Sequence, residues 1–281
     1  MRTIHQVHPQ DFEKYNTQQI RDRFLLDGLL SPGKVECAYT HYDRMIIGGV
    51  YPSSRPLQLG SFEELKSENF LDRREMGIIN IGGTGIINVD GENFQLEKQD
   101  CLYIGKGKKE IIFEEGPGDT GTMQAHAKFV FFSCPAHTSY PTRLMKPSET
   151  LPAELGSLDN NNHRTINKYI HLDGIQSCQL VLGVTTFKKG SIWNTMPPHT
   201  HDRRMEAYFY FDLADGQRIV HFMGEPTETR HLFLNIEEGI VSPSWSIHSG
   251  VATGNYSFIW AMAGENMVFT DMDAVPVGTL R

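Results

Sequence analysis

Residues 193–211 read W-N-T-M-P-P-H-T-H-D-R-R-M-E-A-Y-F-Y-F, and this stretch carries the side chains with the clearest chemical potential. His199, His201 and Glu206 lie within it, and His248 follows in the run S-P-S-W-S-I-H-S-G. Neutral imidazole nitrogens and a carboxylate oxygen are ligands that zinc, iron, nickel or manganese accepts. A lone histidine is more often a hydrogen-bonded or surface side chain. Three that share a short spacing with a carboxylate point instead to one divalent ion. Two bland readings compete: the histidines could be hydrogen-bonded core residues, and Glu206 could be a general base beside a three-histidine ion.

These ligands need strands to hold them. Alternate residues of a strand share a face, so His199 and His201 can reach one ion. Glu206 comes five residues after His201, an odd offset that would place it on the opposite face of an unbroken strand. A turn is therefore expected between them, with Asp202, Arg203 and Arg204 as a hairpin loop and a paired strand from about Met205. That strand would put Glu206, Tyr208 and Tyr210 on one face. Arg203 and Arg204 are either a solvated hairpin tip or a guanidinium fork for a substrate carboxylate. Lys168 and Arg164 are weaker candidates for the same task. Tyr208 is first a wall residue, with a phenol able to serve in proton transfer.

Away from this stretch the chain alternates short apolar runs with Gly, Pro and Asp, which is an all-β signature. One helix is expected at 17–26, capped by Asn16 or Thr17 and ended by Ser31-Pro32-Gly33. Strands are expected at 35–40 and 45–51, and Asp90-Gly91 reads as a tight hairpin between alternating apolar positions. Another strand, at 128–133, follows the Gly-rich segment 115–121. Residues 147–163, rich in Pro, Ser and Asn, read as a connector. The second half repeats the pattern, with strands expected at 179–187, 205–211, 218–223, 231–235 and 256–262.

The halves resemble a degenerate internal repeat. D-R-R-E-M at 72–76 matches D-R-R-M-E at 202–206, and 100–110 aligns without a gap on 238–248. Asn69, Leu71 and Glu110 then fall where the second half has His199, His201 and His248. The expected organisation is two small β-barrels: 1–150 without metal and 151–281 with it.

Composition sets limits on partners. Of 281 residues, 39% are hydrophobic and 21% charged, as in soluble globular proteins. No apolar run is long enough to cross a bilayer, and the polar start M-R-T-I-H-Q-V-H has no signal-peptide core, so the cytoplasm is the expected address. Cys37, Cys101, Cys134 and Cys178 form no C-x-x-C pair and read as reduced thiols. A net charge of −8 argues against nucleic acid or an anionic membrane as partner, while leaving room for a small anionic substrate.

The spacing H-x-H-x4-E, followed by P-x-x-x-x-H, resembles the two motifs of the cupin superfamily. T-I-N-K-Y at 165–169, W-N-T-M-P-P-H-T-H-D-R-R-M-E, P-S-W-S-I-H-S-G and the closing G-E-N-M-V-F-T-D-M-D narrow the resemblance to the 5-keto-4-deoxyuronate isomerases, also called 4-deoxy-L-threo-5-hexosulose-uronate ketol-isomerases. D-R-x-I-x-G-G at 43–49 and the run from Arg73 extend it over nearly the whole chain. The resemblance implies a bicupin, with His199, His201, Glu206 and His248 holding one zinc ion. It implies an aldose–ketose isomerase of pectin and uronate breakdown, converting 5-dehydro-4-deoxy-D-glucuronate to 3-deoxy-D-glycero-2,5-hexodiulosonate. A homo-oligomer, a hexamer, is implied as well. The alternatives are the related 5-deoxy-glucuronate isomerase of inositol breakdown, a non-haem iron cupin dioxygenase, and a non-catalytic sugar-binding bicupin.

Overall fold

The structure, a computed structural model, describes residues 1–117 and 126–281. Part of the Gly-rich run 115–121, from 118 on, lies outside the described residues. The chain is all-β, with two barrels built on one plan. In the first barrel a seven-stranded sheet runs in the order Arg2–Ile4, Lys34–Thr40, Ile46–Tyr51, Phe129–Pro135, Arg74–Asn80, Cys101–Ile104, Arg143–Met145. A four-stranded sheet, ordered Leu57–Gln58, Ile111–Glu115, Gly85–Val89, Glu92–Leu96, shares its core. The second barrel repeats both orders, with Arg164–Ile170, Val181–Phe187, Ser257–Gly264, Arg204–Phe211 and Gly239–Ser242 in its large sheet. Trp193–Asn194, Ile247–Ala252, Ile219–Glu225 and Glu228–Leu234 form its small one.

Local chemistry explains much of this. Asp90 and Gly91 both take positive φ, 50° and 89°, which suits the two-residue turn joining Val89 to Glu92. Gly85–Val89 alternates buried and half-buried residues, as a strand with one wetter face should. The central strands Arg74–Asn80 and Arg204–Phe211 are buried throughout, because one face lines a barrel and the other meets the opposite large sheet. Ile79, Val130 and Phe132 of the first sheet join Leu182, Val184 and Phe209 of the second in one core. At Gly77 a Cβ would come within 2.8 Å of Ile170 and Leu182, so the absence of a side chain lets the sheets close.

Three expectations need correction. The helix spans Thr17–Phe24, capped by Asn16 with Gln19 completing a capping box, but stops before Leu25. Leu25–Leu26 is instead a strand, pairing Leu25 with Ile240 and Leu26 with Gly239. Residues 9–26, expected in the first half, therefore lie on the second barrel. Phe12 packs edge-on against Trp245, Arg21 donates to the Phe233 carbonyl and Arg230 to that of Glu13. Phe12, Ile20 and Phe24 need apolar cover, and the second barrel supplies it. The connector also contains an edge strand, Ala153–Leu155, paired with Arg164–Ile170.

One carboxylate ties the barrels together. Glu75 is fully buried, and its oxygens accept the backbone N–H groups of Cys178, Gln179 and Leu180 at 2.7, 2.9 and 3.1 Å. The Tyr103 hydroxyl donates to it at 2.8 Å and the Cys134 thiol at 3.4 Å. Removing the carboxylate leaves several buried donors without an acceptor, each costing about 1–3 kcal/mol. Glu75→Ala should therefore lower the unfolding free energy by about 3 kcal/mol or more in a urea titration followed by far-ultraviolet circular dichroism. A loss below about 1 kcal/mol would show that this contact does not hold the halves together.

Candidate metal centre

Three pieces of backbone deliver the candidate ligands, His199 and His201 sharing one. Glu206 lies in the central strand Arg204–Phe211, opposite Ser242 on one side and Met262 on the other. His248 comes from Ile247–Ala252 and sits across from Met223. His199 belongs to a two-residue strand, His199–Thr200, that pairs with Asp273–Ala274. This corrects the expected hairpin: the chain turns at Asp202 and Arg203, but the strand before the turn does not pair with the strand after it. Pro197 and Pro198 precede His199 and carry no N–H for a ladder. The carboxy-terminal segment fills the gap, with the Val275 N–H donating to the Pro198 carbonyl at 3.0 Å.

The four side chains converge. One donor atom from each of His199, His201, Glu206 and His248 lies within 4.8 Å of every other. His248 Nε2 is 2.9 Å from both His199 Nε2 and Glu206 Oε2, and His201 Nε2 is 3.1 Å from the same oxygen. Separations near 3 Å are those of neighbouring ligands around an ion with bonds of about 2.1 Å. His201 Nδ1 lies 2.9 Å from the Arg204 carbonyl, which fixes its proton there and turns the Nε2 lone pair inward. His201, Glu206 and His248 are 1%, 4% and 1% exposed, so water does not satisfy these atoms.

The electrostatics fit a cation. Burial would raise the Glu206 carboxyl, but the charge of His248 and hydrogen bonds from His201 and His248 outweigh it and hold the group well below the usual carboxylate range. Burial, joined by the His248 charge, pushes His199 down to about 3. Burial opposes charge on His201 too, yet the hydrogen bond to Glu206 raises it above its ordinary value. The buried carboxylate thus favours positive charge beside it. A divalent ion supplies that charge and uses all three lone pairs. Deeper in the barrel, Tyr210 Oη lies 2.7 Å from His221 Nδ1, and burial holds His221 down to about 3.

A cavity of about 280 Å³ opens onto the cluster. Its apolar walls include Ile166, Phe258, Trp260, Met262 and Phe269, and its polar ones Thr185, Asn194, Thr195, Tyr208 and Arg164. Tyr208 is buried, its hydroxyl 3.3 Å from Thr195 Oγ1, and burial with the Glu206 charge raises its phenol well above the ordinary value. Arg204 lines the cavity, but its Nη1 and Nη2 donate to the carbonyls of Val268, Phe269 and Asp271, leaving only the buried Nε without a partner. Arg203 is not brought to the cavity: its guanidinium is clasped by the Asp271 carboxylate at the surface. Lys168 is also outside the lining, with its ammonium 5.3 Å from the centre of the Phe269 ring. The best-placed cation is Arg164, half-buried in the wall, with one hydrogen bond to the Asn162 carbonyl and no carboxylate partner among the described residues. Its position two before Ile166 on one strand was the available sequence signal.

The first barrel holds no such cluster among the described residues. Leu71 and Met76, the counterparts of His201 and Glu206, lie in an apolar core with Phe70, Ile78 and Phe131.

Comparison with known proteins places the chain. The model of the KduI/IolB family matches residues 29–276. Curated relatives named 4-deoxy-L-threo-5-hexosulose-uronate ketol-isomerase include one from Halalkalibacterium halodurans, 50% identical over 97% of each chain. Another, from Bacillus pumilus, is 48% identical over 100% of each. Among solved structures, an IolB-like protein from Salmonella typhimurium LT2 superposes with a TM-score of 0.63 at 13% identity, covering 82% of this chain and 86% of that one. A variant of Bacillus subtilis oxalate decarboxylase gives 0.52 at 10% identity, covering 82% and 70%. These structural likenesses bear on the fold alone.

The donor set leads to a measurable expectation. Purified protein should carry about one divalent ion per chain by elemental analysis, and His201→Ala less than about a tenth of that. Chelation should lower the thermal midpoint by about 5 °C or more, because the ion binds only the folded state. A metal-free protein whose midpoint ignores both chelator and added zinc would refute the site.

Proposed function

Because the chain belongs to the KduI/IolB family, we propose that it is a ketol-isomerase of a sugar acid, interconverting 5-dehydro-4-deoxy-D-glucuronate and 3-deoxy-D-glycero-2,5-hexodiulosonate in uronate and pectin breakdown. The observation that carries this reading is the near-full-length identity of about half to relatives bearing that name, joined to a convergent three-histidine, one-carboxylate cluster at the floor of a cavity. The iron dioxygenase and sugar-binding alternatives share the fold but not this identity. The inositol-pathway isomerase is favoured less because the curated relatives at about half identity carry the uronate isomerase name.

His199, His201, Glu206 and His248 would hold the ion, with zinc the choice implied by family resemblance. Such an ion, when bound, polarises a carbonyl and its neighbouring hydroxyl and stabilises the negative charge that develops as the intervening C–H loses its proton. The remaining tasks fall to this chain's own side chains. Arg164 is placed to take the substrate carboxylate with paired N–H donors, fixing which end of the sugar acid faces the cluster. Tyr208, kept protonated by its burial, gives a hydrogen bond to a substrate oxygen and is unsuited to be the base. Glu206, kept ionised, is suited to hold a cation and poorly suited to carry a proton. Phe258, Trp260 and Phe269 exclude water from the reacting carbons.

The same reading divides the chain near residue 150 into a first barrel without metal and a second with it, the leading segment 9–26 serving the second. It places the protein in the cytoplasm. Free Cys37, Cys101, Cys134 and Cys178 agree with a reducing compartment. It also makes the protein a homo-oligomer, with a hexamer implied by resemblance. Leu151, Leu155 and Leu158, exposed at 87%, 46% and 58% beside the edge strand Ala153–Leu155, agree with a covered surface.

Isomerisation of the uronate by metal-loaded variants tests the assignment. Arg164→Gln should raise KM about tenfold or more, keep its metal and leave kcat within about threefold, since it removes binding shared by ground and transition states. His248→Ala should lose metal and turnover together. Unchanged KM in the first, or full turnover after thorough chelation, would contradict these roles.

A further inference from the structure

The internal repeat leaves a second arginine in a position like that of Arg204. Arg74 begins the strand Arg74–Asn80, as Arg204 begins Arg204–Phe211, and the two strands hold the same place in their sheets. Both arginines are almost wholly buried, Arg74 at 6% and Arg204 at 1% exposure. Their surroundings differ. Arg204 donates to three carbonyls of the segment 268–271, and its neighbour Arg203 is clasped by Asp271. Around Arg74 no carboxylate plays that part. Its Nε and Nη2 donate to Ser133 Oγ at 3.1 Å, the Ser133 carbonyl at 2.6 Å and the Arg44 carbonyl at 2.6 Å. Its Nη1 has no partner, and the guanidinium no ion pair, among the described residues.

Nη1 is not sealed in with the rest of the group and faces the cleft, and a largely buried guanidinium without a counter-charge is uncommon, because arginine is rarely buried unless paired. Burial pushes Arg74 down to about 10, which leaves it cationic at neutral pH. It lines a cavity of about 240 Å³ together with Arg44, Arg73, Tyr39, Ser67 and Glu64. Arg44 is exposed, and its guanidinium has no hydrogen bond among the described residues. Arg73 donates through Nη2 to the carbonyls of Leu65 and Lys66, which carry no full charge. Asp43 and Asp72 feel the charges of Arg44 and Arg73 but stand outside the lining, Asp43 accepting from the Met205 N–H and Asp72 from Asn69. Glu64 is thus the one acid in a lining with three guanidiniums. The space, about 240 Å³, is ample for one anionic group of a small molecule.

We propose that this cleft on the first barrel is an anion-binding site, separate from the metal centre, that takes a carboxylate or phosphate group of a small molecule between Arg74, Arg44 and Arg73. The planar forks of arginine match the oxygens of either group, and Ser67 and Tyr39 add hydroxyls at the rim. The site does not depend on the isomerase assignment.

Calorimetric titration of the full chain, metal-loaded and in about 0.15 M chloride to screen loose surface charge, tests it. Inorganic phosphate and D-galacturonate serve as separate probes. Arg164→Gln is used as the background, so that the cation of the large cavity does not contribute. Binding of either probe at about one site per chain is expected. Adding Arg44→Gln and Arg73→Gln, both at exposed positions, should weaken it about tenfold or more. Arg74→Gln, if it folds, should abolish it. Which probe binds identifies the source of the anionic group. Absence of binding by both probes, or binding unmoved by the paired substitution, overturns the proposal.

Discussion

A buried carboxylate facing the imidazole nitrogens of buried His201 and His248 and half-buried His199 is the constraint that organises this protein. Four lone-pair-bearing atoms held within 4.8 Å of one another, in a place that water barely reaches, require positive charge among them. A proton on an imidazole answers that need only partly, since one proton cannot satisfy Glu206 Oε2, His199 Nε2, His201 Nε2 and His248 Nε2 together. A divalent cation does. The scaffold around the cluster is shaped to keep the four atoms together despite their mutual cost. Glu206 sits in a strand paired on both sides, His201 is pinned through the Arg204 carbonyl, and the carboxy-terminal segment holds His199.

The duplicated plan shows how such a site is supported. Both halves use the same strand order, but the first fills its interior with Phe70, Leu71, Met76 and Phe131, whereas the second keeps Tyr208, Tyr210, His221 and the ligands. An apolar core packs without needing partners, and polar groups in a barrel need every donor answered. Interlocking supports the polar barrel: Glu75 reaches across to three backbone amides, and residues 9–26 cover the second barrel from outside. Stability is thus contributed by the half without the histidine–carboxylate cluster to the half that has it.

The parts legible in the sequence were those set by neighbours along the chain. H-x-H-x4-E picked out three of the four side chains that converge, Asp90-Gly91 named a turn, and the aligned D-R-R runs named a repeat whose strand order the structure reproduces. What the sequence concealed depends on partners far away. The pairing of His199–Thr200 with Asp273–Ala274, and of Leu25–Leu26 with Gly239–Ser242, joins segments whose local patterns say nothing of each other. Arg203 and Arg204 looked like substrate forks because they adjoin the ligands, yet Asp271 and the carbonyls around it occupy them. Arg164 carried little local signal, and its value comes from the wall it joins. Glu75 resembled any charged residue of a D-R-R-E run, and only its burial against residues 178–180 reveals its work.

The central claim is that these four atoms bind one ion in common. Anomalous diffraction from crystals of the protein as purified, collected across the absorption edges of zinc, iron, nickel and manganese, tests it most directly. A single peak per chain is predicted, about 2.0–2.3 Å from the three histidine Nε2 atoms and a Glu206 oxygen, with none in the first barrel. A catalytically active crystal form with no peak there, or a peak bound by other residues, would contradict it.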